Sequence, residues 1–315
     1  MVFLVNTRDA LERVSSLERK RREMASILTD RAMLVSLSIS RWTANKSDKN
    51  LSNQVAADHN ADPDMLSTRR RLVAKARLDV IREIGARARH HHYECTLPWL
   101  DDGARILPAA SYFDYMAKQN AFESEFNYAV EDFVIDYPMI VDQAKLSLNG
   151  LFNPADYPDS ASIRKKFSMA CTILALPSKD DFRVALGEQE QERVKEQIEL
   201  RLADAANGAV ADVWQRVHER VERMVERLRG YSVDANGKVQ NAFRDSLVEN
   251  IRELATNIMP ALNITNNNRL EDMRQRLLDD LCQIDAGTLR EDSTVRDDIA
   301  AKAESILADI QSVMV

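Results

Sequence analysis

The fold is decided by "RVKEQIELRLADAANGAVADVWQRVHERVERMVERLR", residues 193–229, which contains no proline. Apolar side chains recur in it at steps of three and four residues, the spacing of one face of an α-helix. These side chains are Val194, Ile198, Leu202, Ala205, Ala209, Val213, Val217, Val221, Met224 and Leu228. Most steps are four, so the mean period exceeds 3.5 and predicts a straight or slightly right-handed long helix rather than a standard heptad coiled coil.

The sequence that follows predicts a helical partner for this long helix. The segment "RGYSVDANGK", residues 229–238, carries the turn signals Gly230 and Asn236–Gly237. Apolar residues then return at helical spacing from Phe243 to Ile258 and stop at Pro260. We therefore expect a long antiparallel hairpin over residues 190–260, followed by C-terminal helices.

Two segments of the first half have the pattern of β-strands. In "MLVSLSISRW", residues 33–42, apolar residues alternate with serines, which is the two-residue repeat of a strand with one buried face. The segment "SMACTILALP", residues 168–177, is a second candidate strand. Helical patterns lie between them, so we expect a small sheet of two or three strands covered by helices. Residues 43–63 are rich in Asn, Asp and Ser and predict a mobile surface loop.

Composition sets the class of protein. The chain has 315 residues, with only 8 Gly and 8 Pro against 30% charged residues, which favours long helices and a mainly α (α+β) fold. We expect two domains: residues 1–177, with helices and the small sheet, and residues 178–315, with the long hairpin and the C-terminal helices. No secretory signal or apolar run of membrane-spanning length is present, so we expect a cytoplasmic protein with no membrane contact.

A basic segment is the candidate nucleic-acid contact. Residues 64–92 have a helical pattern crowded with cations, and those best placed to follow a phosphate backbone are Arg69, Arg70, Arg71, Lys75 and Arg77. Against this function, the formal net charge of the chain is −7, and no aromatic residues are interleaved with the arginines. The alternative partner for the basic helix is the acidic, aromatic helix that begins near Ser111 and bears Glu123, Glu125, Glu131 and Asp132.

Catalytic and metal sites are not expected. The run His90–His92, with Glu94 and Cys95, contains residue types that bind zinc, but adjacent histidines on a helix point about 100° apart and cannot all face one ion. No glycine-rich phosphate loop is present, so we expect no nucleotide hydrolysis and no cofactor. No Ser-His-Asp or Cys-His set has local spacing that supports nucleophilic catalysis.

The segment "TLPWLDDGARILPAASYFDY", residues 96–115, interrupts the helices. Two prolines forbid a continuous helix, and Asp101–Asp102–Gly103 predicts a tight turn between two short extended arms. We expect this segment to anchor the basic helix against the aromatic one. The structural signature residues are Trp42, Pro98, Trp99, Asp101, Asp102, Gly103, Pro108, Tyr112 and Tyr115.

In their order along the chain and in their residues, three segments of the sequence resemble an uncharacterised family of bacteriophage and bacterial proteins. They are "LPWLDDGARILPAASYFDY", "AVEDFVIDYP" and "LNGLFNPADYP", and the resemblance covers roughly residues 31–260. Members of that family are encoded near MoxR-type AAA+ ATPases and von Willebrand-type proteins, which implies an adaptor with an AAA+ ATPase as partner. The family brings no catalytic residues.

Three functions follow as hypotheses. The favoured one is a non-enzymatic, phage-encoded helical adaptor or scaffold that binds protein partners and forms a homo-oligomer through the 190–260 hairpin. The first alternative is a nucleic-acid-associated protein that uses the basic helix over residues 69–89. The second is a metal-dependent hydrolase near His90–Cys95.

Overall fold

The computed structural model describes residues 5–99, 103–178, 187–234 and 236–314. The chain divides into two compact units. The first, called here the long-helix unit, comprises Met1–Ser36, Tyr93–Phe113 and Ile173–Val315. The second, called here the aromatic unit, comprises Leu37–His92 and Asp114–Thr172. This division differs from the predicted boundary at residue 177, because the N-terminal helix and the segment around β4 and β5 (Leu97–Pro98 and Ala104–Pro108) share the core of the C-terminal helices.

The long-helix unit is built on the helix that the sequence predicted. Its helices are α1 (Val5–Arg31), α6 (Glu188–Gly230), α7 (Ser246–Glu253), α8 (Met259–Leu262), α9 (Asn268–Leu281), α10 (Ala286–Glu291) and α11 (Ser293–Met314). Short strands β7 (Ser232–Val233) and β8 (Val239–Gln240) form the hairpin after α6. Glutamates lie in the first turn of α6 and arginines in its last turn, where each stabilises the helix dipole.

The apolar face of α6 is buried within the chain, where α6 packs mainly along α11 and α1. The predicted helix that follows the turn after α6 is present but is not one regular helix: α7 ends at Glu253, a π-helical turn follows at Leu254–Ile258, and α8 continues through Pro260. Pro260 does not end the helical run because it lies in the first turn of α8, where a missing N–H costs little.

The aromatic unit has its own core. Its helices are α2 (Lys49–Asp58), α3 (Ala76–Cys95), α4 (Tyr112–Leu148) and α5 (Ser160–Arg164), of which α3 and α4 each extend by a few residues beyond the unit. The aromatic side chains of α4 are buried at Tyr115, Phe122, Phe126, Phe133 and Tyr137. From α4, the side chains of Phe122, Phe126 and Phe133 join Ile81, Ile84 and Ala88 of α3 in one cluster.

The sheet confirms the predicted strands and has one more than expected. Its order is β4 (Leu97–Pro98), β5 (Ala104–Pro108), β1 (Ala32–Ser40) and β6 (Ser168–Leu174). Strand β1 runs antiparallel to β5, with Ala32 opposite Pro108 and Ser36 opposite Ala104. The two predicted extended arms are thus β4 and β5. Gly103 before β5 has φ +118°, a conformation that favours glycine.

Two predictions for residues 43–75 were wrong. The predicted loop over 43–63 contains β2 (Asn45–Ser47) and helix α2, whose N-cap Asp48 accepts a hydrogen bond from the Leu51 amide at 3.1 Å. The predicted basic helix begins only at Ala76, because Arg69–Arg71 form strand β3 against β2. The three-residue strands β2 and β3 are too short to show a period of their own, and α2 has too few buried apolar residues to show a helical one.

The mainly α fold class with a small sheet is confirmed. No helix within the four described ranges has the length and apolar character needed to cross a membrane.

Candidate functional site

The arginine triplet is divided between two faces of β3. Successive side chains of a strand point to opposite faces, so Arg69 and Arg71 share one face and Arg70 takes the other. The guanidinium of Arg70 lies 2.6 Å from Asp156 and 3.3 Å from Asp48, and it also bonds the carbonyl oxygen of Leu151. Arg70 is therefore part of an internal ion-pair network. Arg69 and Arg71 remain exposed.

Arg71 and Lys75 contribute to a cleft in the aromatic unit, called here the Trp42 cleft, with a volume of about 250 Å³. Four cationic side chains line it: Arg41, Arg71, Lys75 and Arg82. Its apolar wall is formed by Trp42, Ala44, Val73, Leu78, Ile81 and Phe167. Arg77, predicted to act with this group, instead lies against α4, 3.1 Å from the side-chain oxygen of Gln143 and 4.0 Å from Asp136.

Every charged residue that lines the Trp42 cleft is a cation. Among the residues that the structure describes, no carboxylate lines it, and none lies within 4 Å of Arg41, Arg71 or Lys75. Arg82 is paired with Asp79 at 2.9 Å. The indole of Trp42 packs against the rings of Phe133 and Tyr137, whose centroids lie 6.3 Å and 6.0 Å away. The result is a fixed aromatic wall beside unneutralised positive charge.

A second surface lies on the outer side of α4. Positions 128, 132, 135, 139, 142 and 146 are separated by steps of four and three, so they form one narrow strip along the helix, about 27 Å long at ~1.5 Å per residue. Four of them are exposed apolar residues: Tyr128 (74%), Ile135 (75%), Met139 (48%) and Leu146 (83%). The other two, Asp132 and Asp142, are exposed aspartates. This strip is called here the α4 seam.

The acidic residues beside the α4 seam are partly neutralised. Glu125 pairs with Arg87 of α3, and Glu131 lies 2.6 Å from Arg164. Asp132 and Asp142 have no Lys or Arg nitrogen within 4 Å in the described parts of the chain. The seam therefore combines apolar side chains with two free negative charges.

The structural signature residues divide between the two cores. Trp99 packs against the core of the long-helix unit, and Pro98 and Pro108 lie in β4 and β5. Tyr112 contacts Phe113 edge to face at 5.2 Å. Asp101 and Asp102 lie outside the described residues.

The three histidines of the run His90–His92 have different surroundings. His92 is buried with Nδ1 2.7 Å from the Tyr115 hydroxyl, whereas His91 stacks on the Tyr115 ring at 5.8 Å and His90 is exposed. Within the described ranges, no three side chains of His, Cys, Asp or Glu are grouped as metal ligands. His92 lies in the last turn of α3, where it is buried and fastens the end of α3 to the start of α4.

The contact that caps the carboxyl end of α3 was not predicted from the sequence. Arg216 of α6 donates hydrogen bonds to the carbonyl oxygens of Tyr93 (2.9 Å), Glu94 (2.9 Å) and Thr96 (2.7 Å), and Asp212 holds its Nε at 2.7 Å. Burial next to this contact raises the pKa of Cys95 to about 11, with a further contribution from Glu94. The only sequence signal was an arginine adjacent to the apolar stripe of α6, which is also typical of a solvated position.

Of the four cations that line the Trp42 cleft, Arg71 and Lys75 were among the predicted nucleic-acid contacts, and Arg41 and Arg82 were not. Arg41 directly precedes Trp42 at the end of β1, and Arg82 lies on α3. Neither residue has a pattern that places it beside Arg71, because the cleft is assembled from residues 41 to 167.

Comparison of the chain with known protein families, with curated proteins and with solved structures finds no match to any of them. Function is therefore inferred from the surfaces described above.

Proposed function

We propose that this chain is a non-enzymatic interaction protein that binds a basic amphipathic helix of a partner protein along the α4 seam. The observation that supports this proposal is the regular exposed row of Tyr128, Ile135, Met139 and Leu146. Exposed apolar residues scattered singly are ordinary on protein surfaces, but a row at coiled-coil spacing has the form of a helix-docking surface.

The interface first expected, the 190–260 hairpin, offers less exposed apolar surface for self-association than the α4 seam does. The apolar residues of α6 from Leu202 to Leu228 are buried against helices of the same chain. A surface that is already covered has no apolar area left to bury against a second molecule. The exposed α4 seam takes its place in this proposal.

The two aspartates select the kind of partner. In an antiparallel pairing of two α4 helices about a two-fold axis between Ile135 and Met139, Asp132 of one copy faces Asp142 of the other. In a parallel pairing each aspartate faces its own copy. Both arrangements bring like charges together, which disfavours a homodimer at this surface. A helix with Lys or Arg at the matching positions gains attraction instead.

The resemblance described above adds an AAA+ ATPase of the MoxR type to this proposal as the first partner to test. A partner helix complementary to the α4 seam has apolar residues at heptad spacing and lysines or arginines opposite Asp132 and Asp142. Because the proposed contact pairs two helices at coiled-coil spacing, we expect its apolar residues to supply affinity and its charges to supply orientation.

Two designed helical peptides test the proposal by fluorescence anisotropy. Both carry leucines facing the apolar positions of the seam, and they differ in having lysine or glutamate opposite Asp132 and Asp142. We expect the lysine peptide to bind at least about tenfold more tightly, which corresponds to ~1.4 kcal/mol. The double change Asp132→Lys and Asp142→Lys should invert this preference.

Matched variants locate the interface. Ile135→Asp should abolish binding of the lysine peptide, because it places a charge at the centre of the apolar row. Met65→Asp changes another exposed apolar residue of the same unit outside the seam and should leave binding unchanged. Equal affinity for the two peptides, or an Ile135→Asp protein that binds as the parent does, would refute the proposal. The same two variants, used as baits, report whether the AAA+ ATPase is captured through this surface.

A further inference from the structure

We propose that the Trp42 cleft is a nucleotide-binding site, in which Arg41, Arg71 and Lys75 contact the phosphate and the base lies against Trp42. This inference rests on observations independent of the α4 seam. It concerns a different surface of the aromatic unit and a different class of ligand.

The charge of the cleft indicates an anion. Arg41, Arg71 and Lys75 come from three separate places in the chain, the end of β1, β3 and the residues before α3, yet they line one small volume. Holding three cations together without a carboxylate raises their mutual repulsion, which a bound anion relieves. Arginine guanidinium groups match the geometry of phosphate oxygens, and a lysine adds a mobile positive charge.

The apolar lining of the cleft indicates what the anion carries. Ala44, Val73 and Phe167 are buried, and Trp42 is partly buried with its ring fixed by Phe133 and Tyr137. A rigid indole provides a surface for stacking a planar group. A phosphate that also carries a planar aromatic group therefore matches both the cationic and the apolar lining of the cleft, and a nucleotide, whose base has an aromatic face, has this chemistry.

The backbone of the cleft is itself constrained. Ala44 has φ +52°, an unfavourable conformation for a residue with a Cβ atom, and its carbonyl oxygen accepts a hydrogen bond from the Leu72 amide at 2.8 Å. This hydrogen bond fixes the segment that carries Arg41 and Trp42 next to β3, which carries Arg71. Residues in such conformations are concentrated at binding sites, where surrounding structure maintains them.

The nucleotide has two possible sources, a free mononucleotide or a unit of a single-stranded nucleic acid. Arg69 distinguishes them, because it lies two residues from Arg71 on the same exposed face of β3 but does not line the cleft. A longer strand that leaves the cleft along β3 reaches Arg69, whereas a mononucleotide does not.

Isothermal titration calorimetry of the full chain with AMP, adenosine, inorganic phosphate and hexadeoxyadenylate tests the proposal. We expect AMP or the oligonucleotide to bind at least about tenfold more tightly than adenosine or phosphate. Arg71→Ala and Lys75→Ala should each weaken that binding by about five- to tenfold. Lys145→Ala removes an exposed cation outside the cleft and should have no effect. These alanine changes are at exposed positions, so the variants should remain folded.

The pattern of binding identifies the source. Tight AMP binding that is unchanged by Arg69→Ala assigns the cleft to a free mononucleotide. Binding of hexadeoxyadenylate that Arg69→Ala weakens assigns it to a single strand. Three results would each overturn the proposal. The first is phosphate that binds as tightly as AMP, and the second is no binding of either nucleotide probe. The third is Arg71→Ala and Lys75→Ala proteins that bind like the parent.

Discussion

The Nδ1 atom of His92 lies 2.7 Å from the hydroxyl oxygen of Tyr115, and both side chains are buried. The Tyr115 hydroxyl also lies 3.6 Å from the sulfur of Cys171 on β6. One tyrosine thus connects the end of α3, the start of α4 and a strand in the interior of the aromatic unit. Its polar atom is satisfied there, which makes it a stabilising contact rather than a cost.

Replacing Tyr115 with phenylalanine should destabilise the protein. The change removes the hydroxyl and leaves a buried nitrogen of His92 without this partner, so we expect the free energy of unfolding to fall by about 1–3 kcal/mol. Urea denaturation followed by circular dichroism measures this loss. Tyr128→Phe on the same helix is the control, because its side chain is exposed and its change should stay within about 0.5 kcal/mol. Equal stabilities of the two variants would show that the contact with His92 contributes nothing.

Tyr137 gives the opposite expectation. Its side chain is buried, but its hydroxyl oxygen has no hydrogen-bond partner among the described residues. Tyr137→Phe removes a desolvated polar group and keeps the ring that packs against Trp42, so stability should be unchanged or higher by up to about 1 kcal/mol. The same urea titration checks this prediction. A loss of stability like that of Tyr115→Phe would mean that the hydroxyl has a partner.

Arg216→Gln should be strongly destabilising. The guanidinium satisfies three carbonyl oxygens at the end of α3, and glutamine cannot reach all of them, so we expect a loss of about 3 kcal/mol. Thermal unfolding measures the change. Arg193→Gln on the same helix is the control, since its side chain is largely exposed and its pair with Glu190 is a surface contact. If Arg216→Gln unfolds at the temperature of Arg193→Gln, the three hydrogen bonds are not formed in solution.

Much of the fold could be predicted because its long elements have strong periods. The apolar row of α6 and the aromatic residues of α4 repeat over many residues and are buried, and in β1 the alternation leaves Leu37 and Ile39 less exposed than Ser38 and Ser40. Arg69–Arg71 could not be placed, because three residues show no period and their neighbour β2 is more than twenty positions earlier. Local pattern determines an element, whereas its partner is determined by contacts distant in the sequence.

The candidate surfaces were less predictable for the same reason. Leu146 and Ile135 were apolar residues on a helix and would ordinarily be assigned to a core, yet the helix turns them outward. Arg71 and Lys75 were predicted as part of a linear phosphate track, whereas the structure joins them with Arg41 beside an indole. The residue types were visible in the sequence, but their convergence needed the three-dimensional arrangement.

Cys95 should be unreactive and should make the protein sensitive to alkali. Burial, with a contribution from Glu94, raises the pKa of its thiol from 9.0 to about 11. The thiolate is the reactive form, so iodoacetamide at pH 8 should modify Cys95 about a hundredfold more slowly in the folded protein than in the unfolded protein. Peptide mapping by mass spectrometry measures the two rates.

The same pKa shift determines how stability depends on pH. The folded state holds the Cys95 proton more strongly than the unfolded state does, so this contribution to stability is fully present below pH 9. It is lost as the pH rises from 9 towards 11, because the unfolded thiol ionises first. Cys95→Ala removes this contribution, so its free energy of unfolding should fall less steeply between those values. Parallel curves for the parent and the variant, or rapid alkylation of Cys95 in the folded chain, would show that the thiol is not buried in solution.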